Sequence, residues 1–256
     1  MDFLFADISL WVYLALFCVA LVAGIIDAIA GGGGLITVPA LLAAGLSPAE
    51  ALATNKLQGC AGTLSSSFHF VRKGHVKLAD MILPIAMTAI GSALGTILVS
   101  YIDSRLLIQA VPIVLIAVAI FFLFLPKVQP LIASKVALSQ TQFAFIIGTS
   151  IGFYDGLIGP GTGAFFSTAY LCFMGLSIIS ATAHTKVLNA TSNLASLIMF
   201  AFTGHIVWML GIAMGIGQWI GAQIGSQLVI TKGSKLIRPL VIFMCLAMSI
   251  KLLMDA

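Results

Sequence analysis

Residues 45–56 read GLSPAEALATNK, and residues 175–186 read GLSIISATAHTK. At an offset of 130 the two stretches are identical at six of twelve positions, and further identities continue on both sides of them. Self-similarity at a fixed spacing indicates a duplicated structural unit. We therefore predict two homologous halves, at about 8–125 and 140–254, joined by a linker at 126–139.

The composition of this duplicated chain is typical of a membrane protein. Of its 256 residues, 61% are hydrophobic and 8% are charged, whereas about a quarter of the residues in a soluble domain are charged. No Asp, Glu, Lys or Arg lies between Asp80 and Asp103, or between Lys186 and Lys232, and each gap can hold a helix that crosses a bilayer. We predict an all-α polytopic membrane protein with a single integral domain over residues 1–256. This composition excludes secreted enzymes and nucleic-acid-binding domains. The net charge of +4 is explained by Lys and Arg in cytoplasmic loops, which orient a membrane protein.

The charges of the loops indicate that the two halves have opposite orientations. Arg72, Lys73 and Lys77 surround the loop at Gly74, which predicts that this loop is cytoplasmic. The equivalent loop at Gly204 has no Lys or Arg and is expected on the outside. By the same rule, the linker is cytoplasmic and both termini lie outside. The pattern predicts an inverted repeat of about 8–10 membrane segments, and eight spans with re-entrant short pieces is the alternative.

Each half contains a glycine-rich break followed by a short apolar piece. Gly31–Gly34 precede the piece at 35–44, and Gly159–Gly163 precede the piece at 164–174. A piece of this length spans about half of the hydrocarbon core, which predicts broken, or half, helices. Unwound backbone at that depth is tolerated where it lines a polar cavity. Two copies at equivalent positions favour a substrate cavity over a tight turn or a helix-packing surface.

Two lysines are predicted near the middle of the membrane. Residues 47–50, SPAE, form a capping box that begins one helix, and Ser177 is the cap of the equivalent helix in the second half. Lys56 and Lys186 each lie nine residues beyond their cap. Because the two helices enter from opposite faces, both ammonium groups should reach a similar depth.

Two carboxylates, Asp27 and Asp155, also lie in predicted membrane segments. An unpaired charge there costs at least about 2.5–3.5 kcal/mol. In a structural interpretation, Asp–Lys pairs hold the two halves together. In a functional interpretation, the lysines attract an anion together with helix N-termini and glycine amides, and the aspartates carry coupling protons. The two interpretations are partly compatible, and His184 is either a proton relay or a neutral packed side chain.

The predicted site combines these charges with amide and glycine groups. For Asn189 and Asn193, hydrogen bonding between helices is an equally good interpretation. The four cysteines lie singly in apolar segments, so neither a metal site nor a disulfide framework is indicated. No cofactor is predicted. The predicted substrate-binding residues are Lys56, Lys186, Asn55, Gly31, Gly32, Gly33, Gly34, Gly159, Gly161, Gly163, Asn189 and Asn193, and the predicted ion-coupling residues are Asp27, Asp155 and His184.

Four motifs carry a family resemblance: GIIDAIAGGGG at 24–34, ATNK at 53–56, GFYDG at 152–156 and HTKVLNATSN at 184–193. They resemble the sulfite exporter TauE/SafE family of membrane permeases, and the likeness covers nearly the whole chain. The resemblance implies a secondary transporter of the cell inner membrane, usually an exporter, and not an enzyme. The implied partners are a small inorganic or organosulfur anion, such as sulfite or an organosulfonate, and membrane lipid, but no nucleic acid. The oligomeric state is left open.

The second half departs from the first at its glycine break. Pro160 and Thr162 replace Gly32 and Gly34, which leaves open whether both breaks bind ligand equally.

Two other classes of protein remain as alternatives. An anion channel would use the same membrane segments but would not need carboxylates matched to both lysines. An intramembrane aspartyl protease is suggested by Tyr154-Asp155 and a second membrane aspartate. However, no GxGD motif accompanies Asp27, and the duplication already accounts for the pair.

Overall fold

The computed structural model describes residues 9–124 and 137–232, and within these ranges the chain is helical and contains no strand. The predicted all-helical class is confirmed for this part of the chain. Most of the linker, both termini and the second half beyond residue 232 lie outside the described residues. The helices are α1 (Leu10–Ala30), α2 (Gly34–Ala43), α3 (Pro48–Arg72), α4 (Ile82–Ser100), α5 (Ser104–Phe124), α6 (Gln140–Gln142), α7 (Thr149–Leu157), α8 (Thr162–Phe173), α9 (Ile178–Ala201) and α10 (Trp208–Lys232). A 3₁₀ turn, Leu78–Met81, precedes α4, and a π-helix, Phe143–Gly148, joins α6 to α7.

The two central helices begin at the predicted caps. The Ser47 hydroxyl accepts a hydrogen bond from the Glu50 N–H, and the Glu50 carboxylate accepts one from the Ser47 N–H at 2.9 Å. Pro48 follows at the first position of α3, where the helix needs no backbone donor. At α9 the Ser177 hydroxyl accepts from the Ser180 N–H. Both predicted caps are confirmed.

Glycines allow helices from the two halves of the sequence to pack at backbone contact. Helix α1 packs against α10, and α4 packs against α7. A Cβ at Gly221 or Gly225 of α10 would collide with the α1 backbone, and a Cβ at Gly91 or Gly95 of α4 would collide with the α7 backbone. Such close approach is common between membrane helices. Helices α3 and α9 pack against each other, with α10 against α3 and α4 against α9.

Two stretches among the described residues are long and apolar enough to cross a membrane. They are Leu10–Ala30 and Leu78–Ser100, with mean hydropathies of 2.5 and 2.0. Helices α3 and α9 have 25 and 24 residues, but buried polar side chains, including Lys56 and Lys186, lower their hydropathy. Helices α2 and α8 have 10 and 12 residues. The architecture is consistent with a membrane protein, and the number of membrane segments stays a prediction.

Candidate functional site

The two glycine breaks contact one another. Gly31 ends α1 with a φ of 75°, in the left-handed region that favours glycine, and α2 begins at Gly34. In the second break, Gly159 and Gly161 have φ values of 96° and 87°. A Cβ added at Gly31 would overlap the backbone of Gly163. The breaks therefore bring the ends of α1 and α7 and the beginnings of α2 and α8 together in one region.

Two buried ion pairs lie beside these breaks. The Lys56 ammonium group on α3 lies 2.9 Å from Asp155 Oδ1 on α7. The Lys186 ammonium group on α9 lies 3.0 Å from Asp27 Oδ2 on α1. Each ammonium group also donates to the backbone carbonyl of the aspartate that it faces. The structure therefore contains Asp–Lys pairs, and each pair joins one half of the sequence to the other.

Neutral donors from the breaks also contact the carboxylates. The Gly33 N–H donates to Asp27 Oδ1 at 3.2 Å, and the Thr162 hydroxyl lies 2.8 Å from Asp155 Oδ1. Each break therefore holds the carboxylate that precedes it in the chain. The carboxylates of an aspartyl protease share a proton, whereas each aspartate here is paired with a lysine.

A small polar cavity of about 30 Å³ lies between the two breaks. Both aspartates line it, but neither Lys56 nor Lys186 does, since each ammonium group is bonded to aspartate oxygens. Gly32 and Gly33 are also absent from the lining. A volume of this size holds about one water molecule. The predicted site residues that line the cavity are Asp27, Gly31, Gly34, Asn55, Asp155, Gly159, Gly161, Gly163, Asn189 and Asn193.

Three asparagine side chains supply amide groups to this lining. Asn55 Oδ1 accepts from Thr37 Oγ1 at 2.6 Å and from Gln58 Nε2 at 2.7 Å. These contacts leave the Asn55 amino group as the donor available to a ligand. Asn193 Nδ2 lies 3.3 Å from Asn189 Oδ1. This hydrogen bond lies within α9, whereas the bond considered from the sequence would join two helices.

His184 lies apart from the cavity. Its Nδ1 is 2.8 Å from the Ser180 carbonyl oxygen, one turn earlier in α9. Its ring packs against Tyr170 with a centroid distance of 5.3 Å. The structure does not bring His184 together with the two aspartates, so a relay role for it stays a sequence prediction.

Some of the cavity lining comes from residues that the sequence analysis did not select. The most informative is Gln218 on α10, whose Oε1 is buried and has no hydrogen-bond partner among the described residues. The side chain lies against Gly62, where a Cβ would be 3.1 Å from Gln218 Nε2. The offset of 130 relates Gly59 to Asn189 and Thr63 to Asn193. Because both asparagines were selected, the repeat could have pointed to Gly59 and Thr63 as well. The lining residues outside the predicted set are Gly59, Thr63, Thr162 and Gln218.

Comparisons with known proteins give the class of this chain. The protein-family model described as sulfite exporter TauE/SafE matches residues 16–252. A probable membrane transporter protein YfcA of Escherichia coli strain K12 is 47% identical over 241 residues, which are 94% of this chain and 89% of the relative. A probable membrane transporter protein of Haemophilus influenzae is 45% identical over 249 residues, 97% of each chain. A third relative, the probable membrane transporter protein ORF9 of a Sinorhizobium species, is 40% identical over 249 residues, 97% of this chain and 95% of its own.

No solved structure matches the chain. The names of the relatives indicate a membrane transporter and not an enzyme, and they support a location in a membrane. As the sequence motifs predict, the chain belongs to the sulfite exporter TauE/SafE family of membrane transporters.

Proposed function

We propose that this chain is a proton-coupled secondary transporter that exports small sulfur-containing oxyanions, such as sulfite or organosulfonates, across the cell inner membrane. The observation that carries the proposal is the pair of reciprocal, buried Lys–Asp contacts beside one polar cavity. The family description supplies the sulfur oxyanion, and the relatives supply the transporter class. The proposed topology is multi-pass with both termini outside.

Reciprocal contacts support an inverted repeat as the architecture. By sequence, α1, α3 and α4 of the first half correspond to α7, α9 and α10 of the second. Helix α1 packs on α10 as α7 packs on α4, and α3 packs on α10 as α9 packs on α4. Exchanging the halves also converts the Lys56–Asp155 contact into the Lys186–Asp27 contact. Together with the opposite loop charges, these relations fit two inverted repeats, at about 8–125 and 140–254, with half helices at the glycine breaks.

In the proposed site, Lys56 and Lys186 bind the anion together with Asn55, Asn189 and Asn193 and the amides of the breaks. Sulfite is compact and strongly charged, so converging ammonium groups and amide donors suit it better than an extended apolar pocket. Both ammonium groups are engaged with aspartate oxygens. An arriving anion must therefore compete with the carboxylates for the lysines.

The size of the cavity favours alternating access. A space of about 30 Å³ accommodates one water molecule, and a polyatomic anion is larger than that. The helices around the breaks must therefore separate before the anion can enter. Opening to one face at a time, as one repeat moves against the other, satisfies this requirement.

The ion pairs link anion binding to protons. When the anion draws a lysine away, Asp27 or Asp155 becomes an unpaired charge inside the membrane, which is costly. Taking up a proton removes that charge. Anion and proton binding then favour the same state of the protein, which couples their movements.

Anion binding to the purified protein tests this proposal. Sulfite, thiosulfate and sulfoacetate are added in turn to wild type, Lys56→Gln and the control Lys77→Gln, which changes an exposed lysine of the Gly74 loop. We expect Lys56→Gln to lose binding of the anion that the wild type binds, and Lys77→Gln to retain it. Unchanged affinity in Lys56→Gln would make that lysine structural, and no binding of any of the three anions to the wild type would contradict the substrate class.

A counterflow measurement separates the carrier from a channel. Proteoliposomes preloaded with unlabelled sulfite are diluted into labelled sulfite without a pH gradient. A carrier transiently accumulates the label by exchange. Simple equilibration of the label would indicate a channel.

A further inference from the structure

The two buried aspartates have different hydrogen-bond surroundings. At Asp27 each carboxylate oxygen faces its own donor. The Gly33 N–H lies 3.2 Å from Oδ1, and the Lys186 ammonium group lies 3.0 Å from Oδ2. Both oxygens of Asp27 therefore already accept a hydrogen bond, one of them from the ammonium group of its lysine partner.

At Asp155 the donors converge on one oxygen. The Lys56 ammonium group lies 2.9 Å from Oδ1, and the Thr162 hydroxyl lies 2.8 Å from the same atom. Oδ2 is buried and has no hydrogen-bond partner among the described residues. Because buried polar atoms are normally paired, an unpaired carboxylate oxygen calls for a missing donor. A proton can be added at Oδ2 without displacing any donor.

A sequence difference between the two glycine breaks accounts for the different hydrogen-bond surroundings of Asp27 and Asp155. Thr162 stands where the first half has Gly34. Its hydroxyl lies within hydrogen-bond distance of both Asp155 Oδ1 and the Gly159 carbonyl oxygen, at 2.8 and 2.6 Å, and its single proton donates to one of these oxygens at a time. In the first break the backbone N–H of Gly33 reaches the carboxylate instead. The duplicated halves therefore present two chemically different carboxylates to one cavity.

The surroundings of Asp155 suit a proton better than a divalent metal cation. Gln218 Oε1 is a second buried acceptor without a partner among the described residues, and it lines the same cavity. An O–H group on Asp155 can donate into this cavity, where about one water molecule fits. Ca²⁺ and Mg²⁺ take six or more oxygen ligands. The described residues contain no group of three or more His, Cys, Asp or Glu that could hold a metal ion.

Building on the proposed transport function, we infer that Asp155 carries the coupling proton and that Asp27 stays ionised as the fixed partner of Lys186. The charged groups near Asp155 are Lys56 from α3 and, across the cavity, Asp27, which is paired with Lys186. The neighbouring Tyr154 hydroxyl donates to the Pro160 carbonyl oxygen. Helix α4 presents its backbone and the Thr96 hydroxyl to the adjacent Gly156, and α8 presents the Thr162 hydroxyl to Asp155. When the anion draws Lys56 away, the Thr162 hydroxyl alone remains on Asp155, which takes up a proton from water at Oδ2. When Lys56 returns, that proton is released to water.

The test compares Asp155→Asn with Asp27→Asn in proteoliposomes. The uptake of labelled sulfite is measured with and without an imposed pH gradient. Because sulfite itself titrates equally in every sample, differences between variants report the protein. We expect Asp155→Asn to be slower than the wild type, because Lys56 loses its partner, but to keep measurable counterflow without a gradient and to lose the response to the gradient. Asp27→Asn is expected to be slower than the wild type but to keep the response.

Different failures of this experiment have different meanings. A wild-type response in Asp155→Asn, or loss of the response in an Asp27→Asn protein that retains counterflow, would overturn the assignment of the proton to Asp155. A flux that follows a Na⁺ gradient instead of the pH gradient would overturn it as well. Absence of sulfite counterflow in the wild type would contradict the proposed function itself.

A second variant keeps all four charges and so guards against misfolding of the asparagine variants. Thr162→Val removes the hydroxyl that lies beside Asp155 Oδ1 and the Gly159 carbonyl oxygen, and a donor of this kind favours the ionised over the protonated carboxyl group. We expect the alkaline limb of the pH–rate profile to move to higher pH in Thr162→Val and to stay in place in the control Thr203→Val, whose hydroxyl bonds to the Phe200 carbonyl near the end of α9. An unmoved profile in Thr162→Val would overturn the assignment.

Discussion

Removing one member of a buried ion pair should destabilise this protein more than removing both. Lys56→Met leaves the Asp155 carboxylate buried, at 2% exposure, with the Thr162 hydroxyl as its nearest donor. It also removes the donor to the Asp155 backbone carbonyl. The double variant Lys56→Met/Asp155→Leu removes both charges and fills the same space with apolar atoms.

The expected sizes of the two effects differ severalfold. Breaking a buried ion pair costs about 3–5 kcal/mol, whereas replacing the whole pair by apolar side chains is close to neutral. The Lys56–Asp155 pair has a 2.9 Å contact and an additional hydrogen bond to the carbonyl oxygen, so the cost of breaking a buried pair applies to it without reduction. We therefore expect Lys56→Met to lower the free energy of unfolding by about 4 kcal/mol. We expect about 1 kcal/mol for the double variant, from the unpaired carbonyl. At about 2–4 °C per kcal/mol, the unfolding temperature falls by about 8–16 °C in the single variant and about 2–4 °C in the double variant.

Thermal unfolding in one detergent and at one pH, followed by circular dichroism, measures both losses. Asp155→Leu completes the double-mutant cycle, which isolates the coupling between the two side chains. Lys73→Met, in the exposed loop, serves as the control and should change the stability by less than about 0.5 kcal/mol. A double variant that loses as much stability as the sum of the two single variants would show no coupling, which would refute the reasoning.

Three further predictions concern the breaks, the cavity and the topology. Gly31 and Gly74 both have a φ of 75°, so alanine at either position carries a left-handed cost of about 1–2 kcal/mol. A Cβ added at Gly31 overlaps the Gly163 backbone, whereas a Cβ added at Gly74 meets nothing within 4 Å. Only Gly31→Ala should therefore lose folding and sulfite binding. Equal losses in the two variants would argue against contact between the breaks. Gln218→Leu should weaken sulfite binding by about tenfold or more in calorimetry, since a hydrogen bond to a charged group contributes about 1.5–3 kcal/mol, and unchanged affinity would remove Gln218 from the site. Cysteines placed at Gly74 and Gly204 should react with an impermeant maleimide from opposite sides of the membrane, and labelling from the same side would contradict the inverted repeat.

Features that depend on neighbouring residues could be predicted from the sequence. The caps at Ser47 and Ser177 each need a hydroxyl and a backbone donor three residues later, so their spacing is readable in the chain. The helix breaks at Gly31 and Gly159 follow from the left-handed backbone that glycine allows. The depth of the lysines, which follows from the length of helix after each cap, stays a prediction.

Features that depend on how distant helices are rotated against each other could not be predicted. The sequence predicts Lys56 and Lys186 near one depth, but the aspartate that each one contacts depends on how α3 lies relative to α7 and how α9 lies relative to α1. The bonds to aspartate carbonyls, which keep the lysines out of the cavity lining, depend on the same packing. Gln218 was missed because a single glutamine in an apolar helix has no local signature. Its place in the cavity depends on the absence of a side chain at Gly62 on α3.

The central claim is that a bound anion takes the lysine from its aspartate, which then binds a proton. The number of protons taken up when sulfite binds tests this claim most directly. Titration calorimetry at one pH in two buffers of different ionisation enthalpy gives this number for the wild type and for Asp155→Asn. Protonation of sulfite itself is common to both proteins and cancels in the difference. We predict that the wild type takes up about one proton more per bound sulfite than Asp155→Asn, because burial of an unpaired carboxylate favours its protonated form. Equal proton numbers in two proteins that both bind sulfite, or no sulfite binding by the wild type, would contradict the account.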